Sequence, residues 1–558
     1  MAAITRHFVT INGGRQVHYR RAGKGPAVVL LHASPSSSLA LTPFIKVFGD
    51  HVTAIALDTP GFGLSDPLPA RAPQIRDYAR AVAEALDALG IKRCILFGTH
   101  TGATIACDFT LRYPGRVALA LFDGYPAFPT QERRDNLAHY IPPFEPTWNG
   151  THLTDFWLRY REMSIFWPWY KRDRAHRAIA GTWPLDRTHA IVMAGLLAGR
   201  GYAKGYAAVF RYPCTSAFKQ LKRPACFVGR EEDSLIRTLK ELGDLPAGSW
   251  TEVFPKDDHA AAQSYVPIIK KHLKALTPTR RPRAAAARGA GVTRDYVRAG
   301  GHEILLRQAG AASAVPLLML PAAPSASDLM NPLIGALSAS RRVIAFDPPG
   351  VGDSDSAAVA SVEAQATATL ALADRLKIAA FDLYAAGGGT AIATAVALAE
   401  PERVRTLFLE GPPALDDATR HAIAPHYARP IELAADGRHL TALWEALRYE
   451  QLYWPWYNTQ RSAVREIEPQ FDTDQLTLRT VGILKQYRNF APMARTLLSY
   501  PLLSRLARVK PPMVIGATPS DPFVGCVDAA GAAVTGAKTV MLPEPPEAKA
   551  ALIARYLS

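Results

Sequence analysis

An internal repeat constrains this chain more than any other feature. The stretch "HYIPPFEPTWNGTHLTDFWLRYREMSIFWPWY" begins at His139, and "HYARPIELAADGRHLTALWEALRYEQLYWPWY" begins at His426. They align without a gap, with 14 of 32 positions identical. The same offset of 287 carries Gly14 to Gly301, His100 to Gly387 and Gly229 to Gly516, and "ITRHFVTINGG" is echoed by "VTRDYVRAGG" from Val292. A repeat of roughly 275 residues is too long for one turn of a solenoid and fits a whole domain. Between the copies, "TPTRRPRAAAARGAG" is rich in Pro, Arg, Ala and Gly and lacks an apolar period. The expected organisation is a domain over 1–276, a linker over 277–291 and a second domain over 292–558.

Composition narrows the class. The 558 residues are 48% hydrophobic and carry a formal net charge of +15. The basic residues are scattered apart from Arg280, Arg281, Arg283 and Arg288 in the linker, and no nucleic-acid motif accompanies them. No apolar run approaches the ~20 residues that span a bilayer. The opening "MAAITRHFVTINGG" lacks a basic stretch followed by an apolar core. Cys94, Cys107, Cys214, Cys226 and Cys526 are an odd set without paired spacing. Reduced thiols in a cytoplasmic protein are the expectation, with no membrane and no nucleic-acid partner. The two copies are expected to pack on one another within the chain, and homo-oligomerisation is left open.

Each copy alternates strands with helices. In the first, "AVVLLH" (27–32), "VTAIALD" (52–58), "CILFG" (94–98), "ALALFD" (118–123), "ACFVG" (225–229) and "TEVF" (251–254) are compact apolar runs. Such runs suit strands buried on both faces. "DYARAVAEALDALG" (77–90) places Tyr78, Val82, Ala85, Leu86 and Leu89 on one helical face, and Gly90 ends it. The expected class is α/β, a mostly parallel sheet with helices on both faces, twice.

Five motifs follow in order: "LLHASP" (30–35), "DTPGFGLSD" (58–66), "FGTHTGATIA" (97–106), "VGREEDSL" (228–235) and "PKDDHAAA" (255–262). Together they resemble the α/β-hydrolase superfamily, in the branch of epoxide hydrolases, haloalkane dehalogenases and C–C or ester hydrolases. The resemblance runs over nearly the whole chain, twice, and implies two tandem α/β-hydrolase domains. It also implies a helical cap in each, about 126–215 and about 413–505. By the resemblance, "FGTHTGATIA" is the nucleophile elbow, a sharp strand-to-helix turn that lifts one side chain above the sheet edge. The backbone N–H groups of Thr101 and Ala33 would form an oxyanion hole. His259 would reach the elbow residue, oriented by Asp233, with Glu232 and Asp123 as rival acids. His32 would brace its loop or line the substrate site. Trp167, Trp169 and Tyr170 would either pack the cap or form an aromatic wall over the substrate.

The departure is His100, which stands where the family carries serine or aspartate. An imidazole can attack an acyl group and form a labile acyl-imidazole, or act as general base on water or substrate. Paired with His259 it would make a two-imidazole site. The expected reaction is hydrolysis of an ester, lactone or activated carbonyl in a small apolar or aromatic molecule, without a cofactor. The alternatives are a lyase, decarboxylase or isomerase using the same pair, and a binding protein without catalysis. A His/carboxylate metal site of His32, His100, His259 and Asp233 is the weakest reading, and no metal is expected.

The second copy serves as an internal control. Pro321 replaces His32, Gly387 replaces His100, Glu547 stands for His259, and only Asp521 survives as an acid. That half is expected to be inert. The W-P-W-Y run recurs as Trp454, Pro455, Trp456 and Tyr457, and His139 and His152 recur as His426 and His439. Features shared with an inert half read as scaffold.

Overall fold

The apolar runs form strands because residues with β-branched or aliphatic side chains on both faces find cover only inside a two-sided α/β layer. In the computed structural model the described residues are 2–178, 181–278, 291–312, 315–358 and 361–557. The linker at 277–291 falls outside them apart from Thr277, Pro278 and Gly291, as do Arg280, Arg281, Arg283 and Arg288. The chain divides into two units, Met1–Glu145 with Asp155–Arg288, and Pro146–Thr154 with Gly289–Ser558. The short segment Pro146–Thr154 thus groups with the second unit although it lies within the first copy's cap sequence.

The first unit holds eight strands: β1 (Thr5–Thr10), β2 (Gln16–Ala22), β3 (Ala27–Leu31), β4 (Thr53–Leu57), β5 (Cys94–Thr99), β6 (Val117–Asp123), β7 (Ala225–Arg230) and β8 (Trp250–Phe254). Their order in the sheet is β1-β2-β4-β3-β5-β6-β7-β8. β3 to β8 are parallel, whereas β1 and β2 form an antiparallel edge hairpin turned by Gly13 and Gly14 at positive φ. Val28, Val29, Leu30 and Leu31 are fully buried. Each such side chain contributes roughly 1.5–3 kcal/mol of burial. The helix expected over 77–90 spans Ile75–Ala88, and its first turn is closed by a reciprocal cap between Gln74 and Asp77. Gly90 follows at φ 70°.

The second unit repeats the sheet with β9 (Thr293–Ala299), β10 (His302–Ala309), β11 (Leu317–Leu320), β12 (Val343–Phe346), β13 (Phe381–Ala386), β14 (Val404–Glu410), β15 (Met513–Ala517) and β16 (Lys538–Met541). Register refines the repeat. β6 pairs Ala120 with Ala225, and β14 pairs Leu407 with Met513. The offset is therefore 288 beyond the cap, one residue more than before it. Gly229 thus corresponds to Ala517 and not to Gly516, and Asp233 corresponds to Asp521.

Between β6 and β7 lie the helices Thr130–His139, Thr151–Met163, Leu185–Ala198 and Tyr202–Arg211, where the cap was expected. Among the described residues no helix is long and apolar enough to cross a membrane.

Candidate active site

The strand β5 ends at Thr99 and the helix Thr101–Arg112 begins one residue later, with His100 at φ 51° and ψ −109°. This backbone state is costly for a residue with a Cβ and persists only where its surroundings hold it. Here the His100 N–H donates to the Asp123 carbonyl at 2.9 Å, and the His100 carbonyl accepts from Ala103 N at 3.0 Å. Two glycines make the bend sterically feasible. A Cβ on Gly98 would lie 2.2 Å from the Gly102 carbonyl oxygen, and one on Gly102 would lie 2.2 Å from the Leu31 oxygen. The second unit makes the same bend with Gly387 at φ 46°.

The His100 ring turns toward the end of β7. Its Nε2 lies 2.9 Å from Asp233 Oδ2, while Asp233 Oδ1 accepts the Leu235 N–H at 2.7 Å. Facing a carboxylate, Nε2 carries the proton, and Nδ1 holds the lone pair. Among the described residues Nδ1 has no protein partner, and it is not sealed from solvent. The two side chains are 34% and 22% exposed. Burial pushes the His100 pKa down, but the charge and hydrogen bond of Asp233, helped by Asp123, outweigh it and hold the imidazole above its usual 6.5. Burial pushes Asp233 up, and the facing imidazole outweighs that and holds its carboxyl below 3.8. The repeat shows the corresponding carboxylate without the imidazole. Asp521, at the matching position with the matching bond from Phe523 N at 2.7 Å, has no imidazole opposite it, and burial raises its pKa to about 6.

Gly124 is the floor of this pair. It has φ 64°, and a Cβ there would meet His100 Cδ2 at 2.5 Å and Nε2 at 2.8 Å. In the second unit the glycine at the same place, Gly411, is covered by the Asp521 carboxylate instead, and a Cβ on it would lie 2.1 Å from Asp521 Oδ2. Gly124→Ala is expected to push the imidazole off Asp233, lowering turnover at least tenfold while costing only about 1–2 kcal/mol of stability. Steady-state rates beside a denaturant melt read the two effects separately.

The fold separates the three acids expected to orient His259. Asp233 contacts His100. Glu232 is exposed and paired with Lys256. Asp123 is buried against Arg230, with burial raising its pKa to about 6. His259 is not brought to His100. It is exposed on the helix Asp258–His272, where its Nε2 lies 3.2 Å from the Gln263 amide nitrogen. The physical reason is Arg230, a residue that no sequence motif singles out. Its Nε donates to the Pro255 carbonyl at 2.9 Å, and its Nη2 bonds the Lys256 carbonyl and, at 2.8 Å, Asp258 Oδ1. With Asp257 accepting from Ala260 N at 2.8 Å, the helix starts early and His259 is carried on its outer surface. Only the charge of Arg230, set at a buried strand end, hinted at this role.

His32 has no capacity left for substrate, which corrects its place among the substrate-binding residues. It is buried, Nδ1–H donates to the Ala33 carbonyl at 2.9 Å, and Nε2 accepts from Thr59 N at 2.9 Å. Burial pushes its pKa down, so it is a neutral brace. The polar groups of Trp169 and Tyr170 are likewise spent within the cap, on the Tyr140 carbonyl at 3.0 Å and Asn136 Oδ1 at 2.9 Å. Trp167 packs edge-on to Tyr140 at 5.3 Å. These contacts pack the aromatic run against the helix Thr130–His139 and the residue that follows it. Among the described residues no group of three or more His, Cys, Asp or Glu gathers as a metal site. The N–H groups of Thr101 and Ala33 donate to no protein acceptor among the described residues. The first turn of the Thr101 helix abuts Leu31 and His32, immediately before Ala33.

A family model described as alpha/beta hydrolase fold matches residues 26–237 and 315–451. The chain is 34% identical over 112 residues to 2-hydroxy-6-oxo-6-phenylhexa-2,4-dienoate hydrolase of Comamonas testosteroni, covering 19% of this chain and 39% of that protein. It is 31% identical over 102 residues to haloalkane dehalogenase 2 of Mycobacterium tuberculosis, covering 18% and 36%. The chain thus spans less than half the length of these curated relatives. Among solved structures, the enol-lactonase of Burkholderia xenovorans LB400 aligns at 18% identity and a TM-score of 0.37, over 47% of this chain and 98% of that one.

Proposed function

The chain belongs to the α/β-hydrolase fold family, and we propose that its first unit is a hydrolase in which His100 and Asp233 act as a general-base dyad. The observation that carries this reading is the 2.9 Å bond from His100 Nε2 to Asp233, which leaves Nδ1 unpartnered at the elbow tip. A water beside Nδ1 gives up its proton to that nitrogen, and the resulting hydroxide attacks the carbonyl carbon of an ester, lactone or activated ketone. The oxyanion takes hydrogen bonds from the N–H groups of Thr101 and Ala33. Collapse of the tetrahedral intermediate breaks the bond to the leaving group, which receives the proton back from Nδ1. Asp233 keeps the ring in the tautomer that leaves Nδ1 free and stabilises the imidazolium. No step requires a cofactor.

The second unit lacks an imidazole at its elbow, and Leu497 Cδ1 lies 2.9 Å from where a Cβ on Gly388 would be. An apolar side chain over the elbow supports an inert role for that half.

The test is turnover of aryl esters and lactones in water labelled with heavy oxygen. Label in the carboxylate product is the expected result. Product formed without label would replace hydrolysis with elimination or isomerisation by the same base.

The dyad also sets a pH dependence. General-base action needs neutral His100, whose pKa is raised above 6.5. The rate is therefore expected to climb with pH through a limb above 6.5. In Asp233→Asn the limb should move to lower pH while the plateau falls about 10²–10⁴-fold. Stability runs the other way. A raised His pKa contributes fully below 6.5 and is lost as pH rises through the folded value. A lowered Asp pKa contributes fully above 3.8 and is lost as pH falls through its folded value. The pair thus stabilises the fold most between these limits, where His100 is charged and idle. A pH–rate profile beside melts at the same pH values checks both signs.

A further inference from the structure

Among the described residues of the first unit, six buried hydroxyls make no hydrogen bond of good geometry, and two of them belong to Tyr160 and Ser34. Tyr160 is 1% exposed, and its Oη makes no hydrogen bond of good geometry, although it lies beside the phenols of Tyr206 and Tyr140. Ser34 Oγ is also buried and unbonded. An orphaned buried hydroxyl costs free energy, so its retention asks for a reason. The two are linked through Tyr206, whose hydroxyl donates to the Ser34 carbonyl at 2.7 Å. Gly205 lets the cap helix come close, since a Cβ there would be 2.9 Å from Ser34 Oγ. Ser34 directly follows Ala33, so this polar pair borders the expected oxyanion donor.

The repeat supplies the control. The second unit has Ala323 where the first has Ser34, and Leu447 where it has Tyr160. Counting six residues back from the shared Tyr-Pro (Tyr212, Tyr500), it has Ala494 for Tyr206. All three hydroxyls are absent from the half that also lacks the elbow imidazole, whereas W-P-W-Y is kept in both. All three replacements are buried and apolar. The hydroxyls therefore follow the imidazole and not the scaffold.

We propose that Tyr160 Oη and Ser34 Oγ donate hydrogen bonds to a second, uncharged oxygen of the substrate, with Tyr206 as the strut that positions Ser34. This rests on the hydrolase reading and narrows its substrate class to carbonyl compounds bearing a further ketone, ester or hydroxyl oxygen a few ångströms from the reacting carbon. An anionic group is disfavoured because Tyr160 Oη is buried among phenols, where an unpaired charge is costly.

Calorimetric binding of three inert probes to the full chain tests the site: 1,3-diacetylbenzene, 3-ethylacetophenone with one carbonyl, and 3-acetylbenzoate with a carboxylate. The diketone is expected to bind about five- to tenfold tighter than the other two. Tyr160→Phe and Ser34→Ala should each reduce that preference to below twofold, and His100→Ala should keep it. Tyr160→Phe should melt no lower than the parent protein, since it removes an unpaired hydroxyl; a purely structural phenol would lower it. Equal affinities, no binding of the diketone, or a preference that survives both substitutions overturns the proposal. Loss of the preference in a protein whose turnover still depends on His100 would remove only this site. A kept preference in a protein whose His100→Ala variant turns over normally would remove only the catalytic reading.

Discussion

His100→Ala is expected to reduce turnover by about 10²–10⁴-fold, the range that a positioned general base supplies. The substitution removes the imidazole at the elbow and leaves the proposed oxyanion N–H groups in place, so residual activity above background is also expected. It should not unfold the protein. The side chain is one-third exposed, and the bend that carries it is held by backbone bonds to Asp123 and Ala103. His259→Ala is the paired control. Its ring is on the outer face of a helix, in contact with Gln263, and turnover should stay within about twofold of the parent. Steady-state rates on one aryl ester, with circular dichroism of each variant, decide both. Full activity in His100→Ala would end the dyad assignment, and collapse of activity in His259→Ala would restore a role for the second imidazole.

Gly102→Ala should have the largest effect on stability. The added Cβ would lie 2.2 Å from the Leu31 oxygen, 2.6 Å from its carbon and 2.9 Å from the His32 oxygen. All three are backbone atoms at the end of a central strand, so no side chain can turn aside. The helix must separate from the sheet, at a cost of about 3–4 kcal/mol. Against a total stability of roughly 5–15 kcal/mol, that is enough to shift a denaturant midpoint visibly. Equilibrium unfolding in urea reads it. A midpoint equal to the parent's would mean that the helix start and the Leu31 turn are not in contact. The effect differs in kind from Gly124→Ala, where the obstructing atoms belong to a side chain that can swing away at the expense of the dyad.

Part of the candidate site was legible in the chain, and the illegible part has a definable character. His100, Asp233, Thr101 and Ala33 stand at strand ends whose positions follow from local apolar runs and glycine spacing, and the sheet order brings those ends to one edge. His259 misled because its place in "PKDDHAAA" depends on where a helix begins. That start is set by Arg230 and by the Asp257 cap, and the first of these joins residues from separate segments. A partner that arrives from elsewhere in the fold is invisible along the chain. The same holds for the substrate role given to His32, which is cancelled by the N–H of Thr59 on a neighbouring loop.

The amino-acid order alone determined that a domain occurs twice, that each copy builds a mostly parallel sheet, and that only the first carries an imidazole at its elbow. These are matters of periodicity and residue type, which act over a few neighbouring positions. Tertiary structure decided which acid meets that imidazole, which histidine is turned outward, and which hydroxyls are left unbonded beneath the cap. Those outcomes depend on groups meeting from separate segments, some of them more than a hundred residues apart as His100 and Asp233 are, and the competition for each polar group is resolved only when all claimants share one volume.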